Sequence, residues 1–255
     1  MEPAKPRRPA AACGGRNISQ EVEERAIVFP VWKRILDLTC VAILLPLLLP
    51  LGCLIIIWIK MASPGPAFFR QNRIGLRGKE FMCLKFRSMV INADQGAHQE
   101  HLRKLMRKNG LTQKLECMGD PRIIPGGLLL RAMGADELPQ LWNVLHGEMS
   151  MVGPRPCTPF ECQLFCTEYQ FRCLAPPGMT GLWQVSGKNR TTFEQMMEMD
   201  LYYVANASLL MDIKIMLRTV PAVLRLVWEM RVCPFCAKLF KRTAADASRN
   251  GRAAV

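Results

Sequence analysis

From Leu38 to Ile59 the chain carries no charged residue, a run of 22 positions. As one straight helix that run extends about 33 Å, enough to cross a hydrocarbon core of about 30 Å. Charge-free runs of this length are unusual in soluble cores, so the chain is expected to enter a membrane. Two prolines inside the run, Pro46 and Pro50, argue against a straight span. Pro50 has no N–H for the carbonyl of Pro46, and Pro46 has none for that of Ala42, which weakens the helix over one turn. Flanking charge agrees. Residues 1–37 contain seven Lys or Arg, and residues 60–90 contain seven more against one acid, Glu80. Basic flanks favour the cytoplasm, and here both flanks are basic. A helix that enters one leaflet, bends at Pro46 and Pro50 and leaves on the same face satisfies both observations. Its arms, Leu38–Leu45 and Leu51–Ile59, would each be about 12–14 Å long.

Around this run the chain divides into a flexible arm (1–30), the re-entrant membrane helix (31–60), a cytoplasmic body (61–230) and a basic flexible tail (231–255). Glu80–Phe86 alternates like a strand after Gly-Pro turns, and 94–118 is polar, reading as a helix and loop. Leu138, Leu141, Trp142 and Leu145 fall at helical spacing. Helices are also expected near 159–173, 192–205 and 208–229. The last holds Asp212, Lys214, Arg218 and Arg225, so it is no second span. It either lies on the membrane surface or packs in the core. The expected fold is mostly α with short β segments: a monotopic membrane protein with one re-entrant, proline-broken helix and a catalytic domain carrying surface-lying amphipathic helices.

The formal charge of +13 favours anionic lipid or phosphate-bearing ligands, with nucleic acid as the competing partner. No nucleic-acid fingerprint accompanies it. Eleven cysteines, an odd number at irregular spacing, point to reduced thiols facing the cytosol. Cys233 and Cys236 form a lone C-P-F-C without the second pair that a zinc ribbon needs.

The densest chemistry lies in GDPRIIPGGLLLRAMGADELPQLWNVLHGEMSMVGPRP (119–156). Asp136 and Glu137 stand where a helix should begin, with Pro139 tolerated in its first turn. Such a start favours an anion such as phosphate. Neighbouring helical residues point about 100° apart, so the two carboxylates cannot do one identical job. One can face a phosphorus atom while the other helps hold a hard cation. Arg122, Arg131 and Arg155 could clamp phosphate oxygens bidentately. From those two letters alone, plain capping and dipole complementation of a helix is the better explanation of Asp-Glu.

Several stretches together resemble the bacterial sugar transferase family, the monotopic phosphoglycosyl transferases. They are KRILD (33–37), SPGPAFFRQNRIG (63–75), KFRSM (85–89), DPRIIPGG (120–127), DELPQLWNVLHGEMSMVGPRP (136–156), PGMTGLWQVSGKN (177–189) and DLYYVANASLLMDIKIM (200–216). They occur in family order over about 31–224. The resemblance implies transfer of a sugar-1-phosphate from a UDP-sugar to polyprenyl (undecaprenyl) phosphate, with release of UMP. This would be the first membrane step of exopolysaccharide, capsule or O-antigen assembly, at the cytoplasmic face of the bacterial inner membrane. It implies Asp136 as nucleophile, Glu137 as its partner, and Mg²⁺ held by the two. Arg131 matches the arginine associated with substrate phosphate, and Arg155 the motif associated with the nucleotide. Lys85 and Arg87, in KFRSM, join Arg122 as further substrate-binding candidates. Membrane lipid is the implied partner, nucleic acid is not, and a homodimer is compatible with the resemblance. Two departures stand out: Leu49-Pro50 where the family often has Ser-Pro at the bend, and Lys188 where it commonly has arginine. The alternative from another class is a non-catalytic basic protein binding anionic lipid or nucleic acid at the membrane surface.

Overall fold

Val31–Ala62 forms one helix of 32 residues, α1. In the computed structural model, residues 30–90, 122–187 and 191–232 are described, together with Glu100. Readings that concern the arm before Pro30, the 94–118 segment other than Glu100, Lys188, the Cys233–Cys236 pair and the basic tail from Cys233 on lie outside the described residues. Pro46 and Pro50 both fall inside α1 and do not divide it into two helices, unlike the broken arms expected from the sequence. Each proline removes one donor, and a long helix absorbs two such losses while neighbouring turns stay bonded. Among the described residues α1 is the one helix long and apolar enough to cross a membrane.

A single stripe of α1 packs on the rest of the protein. Lys33, Asp37, Val41, Ile55 and Ile59 are buried, at helical spacing. Ile35, Ile43, Leu47, Leu54 and Ile57 are exposed. At its start, Lys33 Nζ donates to the Val152 carbonyl at 2.7 Å, to Tyr203 Oη at 2.8 Å and to Asp212 Oδ2 at 2.5 Å. Arg34 donates to the carbonyls of Val144 and Leu145. Asp37 Oδ1 accepts from Ser150 Oγ and the Met151 N–H. At its end, Trp58 Nε1 donates to the Pro125 carbonyl at 3.2 Å. Arg87 Nη1 and Nη2 donate to the carbonyls of Pro64 and Ser63, each at 2.6 Å. Both ends of the apolar helix are therefore fastened to the same body.

That body begins with an antiparallel hairpin, β1 (Phe68–Ile74) and β2 (Glu80–Phe86), paired from Phe68↔Phe86 to Ile74↔Glu80. β2 has the limits read from its alternation: Phe81, Cys83 and Phe86 are buried, Glu80 and Met82 exposed. Helix α2 (Gly127–Met133) and α3 (Gln140–Leu145) flank a single 3-10 turn, Ala135–Glu137. β3 (Ser150–Val152) runs parallel to β4 (Gly178–Thr180). Their chains meet so closely that a Cβ on Gly178 would sit 2.0 Å from the Gly153 nitrogen. Only glycine fits there.

The helix expected near 159–173 is instead α4 (Pro159–Leu164), α5 (Thr167–Gln170) and a 3-10 turn, Phe171–Leu174. Extended backbone at Phe165 and Cys166 separates α4 from α5, and Phe165 turns into the core beside Phe193. A short α6 (Leu182–Val185) leads to α7 (Phe193–Asn206), which starts with a capping box of Thr192 and Gln195. The final helix, α8 (Leu209–Val232), packs in the core along one face and leaves another face exposed. Asp212 and Ile215 point inward and are buried, while Leu210, Ile213, Leu217, Val220 and Leu224 form an exposed apolar stripe three or four residues apart. The seven cysteines among the described residues are free thiols.

Candidate active site

Gly134 has φ +67°, a left-handed conformation that ends α2, and its N–H reaches the Arg131 carbonyl at 3.3 Å. The chain then turns directly through Asp136 and Glu137. Asp136 is buried at 8 % exposure and Glu137 is half-buried. The pair thus precedes α3 rather than opening it, because Pro139 caps that helix and Gln140 is its first residue. With six residues, α3 brings too few aligned peptide dipoles to make the phosphate-binding helix start expected from the sequence. Trp142 also departs from expectation: Leu141 is buried, but Trp142 is 57 % exposed.

Lys85 Nζ lies 2.9 Å from Glu137 Oε1. The lysine comes from β2, on the same face as the buried Phe81 and Cys83. Asn143, on α3 and 1 % exposed, sets this juxtaposition. Its Oδ1 accepts from the Leu84 N–H at 3.1 Å and its Nδ2 donates to the Met82 carbonyl at 2.8 Å. The carboxamide acts as a short surrogate strand on the edge of β2 that faces away from β1. Nδ2 also donates to Glu148 Oε2 at 2.7 Å.

Lys85, Glu137, Gln140, Arg73, Arg155, Pro156, Gly178, Met179 and Gln184 line one cleft. Three residues singled out from the sequence, Lys85, Glu137 and Arg155, are thereby brought together, with Asp136 adjoining Glu137. Arg131 sits in the last turn of α2, five residues before Asp136, outside the lining of that cleft. Arg122 also stands apart from it, its carbonyl accepting from the Val90 N–H at 2.8 Å. Arg87 is 4 % exposed, and its terminal nitrogens hold the chain leaving α1. Pro46 and Pro50 are exposed on α1, far along the sequence from the cleft residues.

The loop that presents Arg155 is built by residues the sequence reading passed over. Arg172 Nη2 donates to the Arg155 carbonyl at 2.8 Å and pairs with Asp200 Oδ2 at 2.5 Å. Arg73 Nη1 donates to the Pro156 carbonyl at 2.9 Å, with Glu161 Oε2 3.5 Å away. Burial pushes Asp200 up to about 6, opposed by the charge of Arg172, so it is still ionised at neutral pH. Burial would likewise raise Glu161, but the charges of Arg73 and Arg155 and the Thr158 N–H outweigh it and hold this carboxyl below its ordinary value. The signal for these pairs was weak, because the partners lie 28 and 88 residues apart in sequence.

Asp136 and Glu137 supply two hard carboxylate donors, and no third His, Cys, Asp or Glu joins them in a cluster among the described residues. Mg²⁺ usually takes one or two carboxylates and completes its shell with water and substrate phosphate. The donor set fits that cation.

One long apolar helix fastened to a mostly helical body, and a cleft joining carboxylate, lysine and arginine, suit membrane association and an anionic ligand. The pattern of the family described as bacterial sugar transferase matches residues 28–226, and the chain belongs to that family. It is 40 % identical over 199 residues to the undecaprenyl-phosphate galactose phosphotransferase of Salmonella typhimurium, covering 76 % of this chain and 40 % of that protein. With the exopolysaccharide production protein ExoY of Rhizobium meliloti it shares 39 % over 211 residues, covering 79 % and 90 % of the two chains. With the UDP-glucose:undecaprenyl-phosphate glucose-1-phosphate transferase of Caulobacter vibrioides it shares 42 % over 200 residues, covering 75 % and 69 %. The match thus spans two fifths of the Salmonella protein and most of the other two.

Proposed function

We propose that the protein transfers a sugar-1-phosphate from a UDP-sugar to polyprenyl phosphate, releasing UMP, as an early membrane step of exopolysaccharide or related glycan assembly. The observation that carries this reading is the cleft shared by Glu137, Lys85 and Arg155 beside Asp136, in a body fastened to an apolar helix. Relatives named as undecaprenyl-phosphate sugar phosphotransferases support it.

Two phosphate anions repel, so direct attack of the lipid phosphate on the donor is slow. A carboxylate oxygen of Asp136 instead attacks the phosphorus that bears the sugar, and the bridging P–O bond to UMP breaks. An acyl-phosphate joins Asp136 to the sugar phosphate. An oxygen of polyprenyl phosphate then attacks the same phosphorus, and the Asp136 carboxylate leaves. One hard displacement becomes two easier ones, and one anhydride replaces another. Arg131 and Arg155 stabilise phosphate charge, and Lys85 orients Glu137. Mg²⁺ held by Asp136 and Glu137 would neutralise charge on the diphosphate.

The fastening of both ends of α1 to one body supports a re-entrant arrangement on the cytoplasmic face of the inner membrane. A spanning helix of this length would carry its first turn about 45 Å from its last, across the bilayer. The exposed stripe of α8, with Lys214 and Arg218 beside it, suits the same lipid surface. Incubation with undecaprenyl phosphate, Mg²⁺ and a panel of UDP-sugars should release UMP with at least one donor. Folded protein that releases none from any donor would contradict the proposal.

A further inference from the structure

Three successive carbonyls of the loop beside the cleft are each held by a separate donor. Arg155 O accepts from Arg172, Pro156 O from Arg73, and Cys157 O from the Ile74 N–H at 2.8 Å. Both guanidiniums are buried, Arg172 at 4 % and Arg73 at 7 % exposure, and each has its own carboxylate. The four side chains come from four places: the Phe171–Leu174 turn, α7, β1 and α4. Burying two ion pairs is an expensive way to pack a loop, and apolar residues of similar volume commonly do that job as well or better. What charged, hydrogen-bonded partners add is direction. A guanidinium fixes a carbonyl in both distance and orientation, so the backbone that carries the Arg155 side chain is settled before any ligand arrives.

We propose that Arg172 and Arg73 are positioning residues: each clamps one carbonyl of the Arg155–Pro156 backbone, so that the Arg155 side chain is preorganised for the nucleotide of the donor. The inference rests on the reading of Arg155 as a nucleotide-binding residue. Arg172 lies outside the cleft lining and Arg73 within it, and both act on binding through the backbone that carries Arg155. Loosening the loop then weakens nucleotide affinity while the displacement itself proceeds at its normal rate.

The test uses the full chain in detergent or nanodiscs. It combines calorimetric titration with UMP, steady-state kinetics and a thermal melt for Arg155→Lys, Arg172→Lys, Arg73→Lys and Asp200→Asn. Arg155→Lys should weaken UMP binding. Arg172→Lys and Arg73→Lys should each raise the UMP Kd and the donor KM about tenfold, equivalent to roughly 1.4 kcal/mol. The kcat of Arg172→Lys, at a residue outside the cleft lining, should stay within about twofold of wild type, the split expected when only binding is lost. Asp200→Asn keeps a hydrogen-bonding partner for Arg172 without its charge, and should shift Kd in the same direction by less. If Arg172→Lys fails to fold, Arg73→Lys and Asp200→Asn carry the test. Wild-type UMP affinity in the folded clamp variants, alongside weakened binding by Arg155→Lys, would overturn the positioning role. Wild-type affinity in Arg155→Lys would instead sink the nucleotide reading, and this inference with it.

Discussion

Lys33 sits near the start of the long apolar helix α1, yet it is 2 % exposed and bonded to Asp212, Tyr203 and the Val152 carbonyl. A buried ammonium is tolerable only because each proton has an acceptor, so removing it leaves Asp212 charged and enclosed. Lys33→Met should therefore cost about 3–5 kcal/mol, seen as a large fall in melting temperature. An unchanged melt would show that the pair contributes nothing. Asp200 offers a test with a sign. Its folded value of about 6 lies above the ordinary 3.8, so the folded state takes up a proton that the unfolded chain does not between those values. The stability this residue contributes is fully present below 3.8 and is lost as pH rises through 6. Melting temperature of wild type relative to Asp200→Asn should rise as pH falls from 6 towards 4. A difference that stays flat or shrinks across that window would contradict the buried, charge-opposed carboxyl.

At the level of elements, the placing of β2 against α3 depends on one carboxamide. Asn143→Ala removes bonds to two backbone groups of β2 and to Glu148. It should destabilise the protein by about 1–3 kcal/mol. Under the proposed function, kcat of the surviving folded protein should fall more than KM rises, because Lys85 loses its setting beside Glu137. A variant with normal kcat would show that β2 holds Lys85 without this bridge. Much of the element layout was legible in the sequence. The alternation of Glu80–Phe86, the charge-free run of α1 and the amphipathic stripe of α8 each come from one stretch read alone. The contiguous Asp136-Glu137 pair was legible too. What escaped depends on distant partners. Arg172 and Asp200 announce themselves only once the Phe171–Leu174 turn lies on α7, and Asn143 looks like any polar residue until β2 is beside it. The break at Phe165–Cys166 was hidden because apolar residues at helical spacing also suit a chain that dips into the core. Pro46 and Pro50 were read as breaking the run into two arms, and both fall inside one continuous helical element.

In the molecule as a whole, α1 and the body that carries the cleft form one construction. Lys33, Arg34 and Asp37 bind the start of α1 to β3, α3, α7 and α8, while Arg87 and Trp58 bind its end. Under the proposed function, a helix held this way would bring the body, and Asp136 within it, to the lipid surface where a polyprenyl phosphate headgroup would lie. A cysteine placed ahead of Val31, in a background without other reactive thiols, should resist an impermeant reagent in intact cells and react after permeabilisation. Labelling in intact cells would put that end outside and contradict the re-entrant arrangement. The central claim, that Asp136 is a nucleophile rather than a structural residue of a tight turn, is tested most directly by intact-protein mass spectrometry. The protein is incubated with its UDP-sugar and Mg²⁺ but no lipid acceptor. Wild type should gain the mass of one sugar phosphate, release up to one equivalent of UMP and lose the adduct when undecaprenyl phosphate is added. Asp136→Asn keeps the shape of the side chain but is a far poorer nucleophile, and should show neither adduct nor UMP. A folded Asp136→Asn protein that turns over normally would contradict the covalent mechanism.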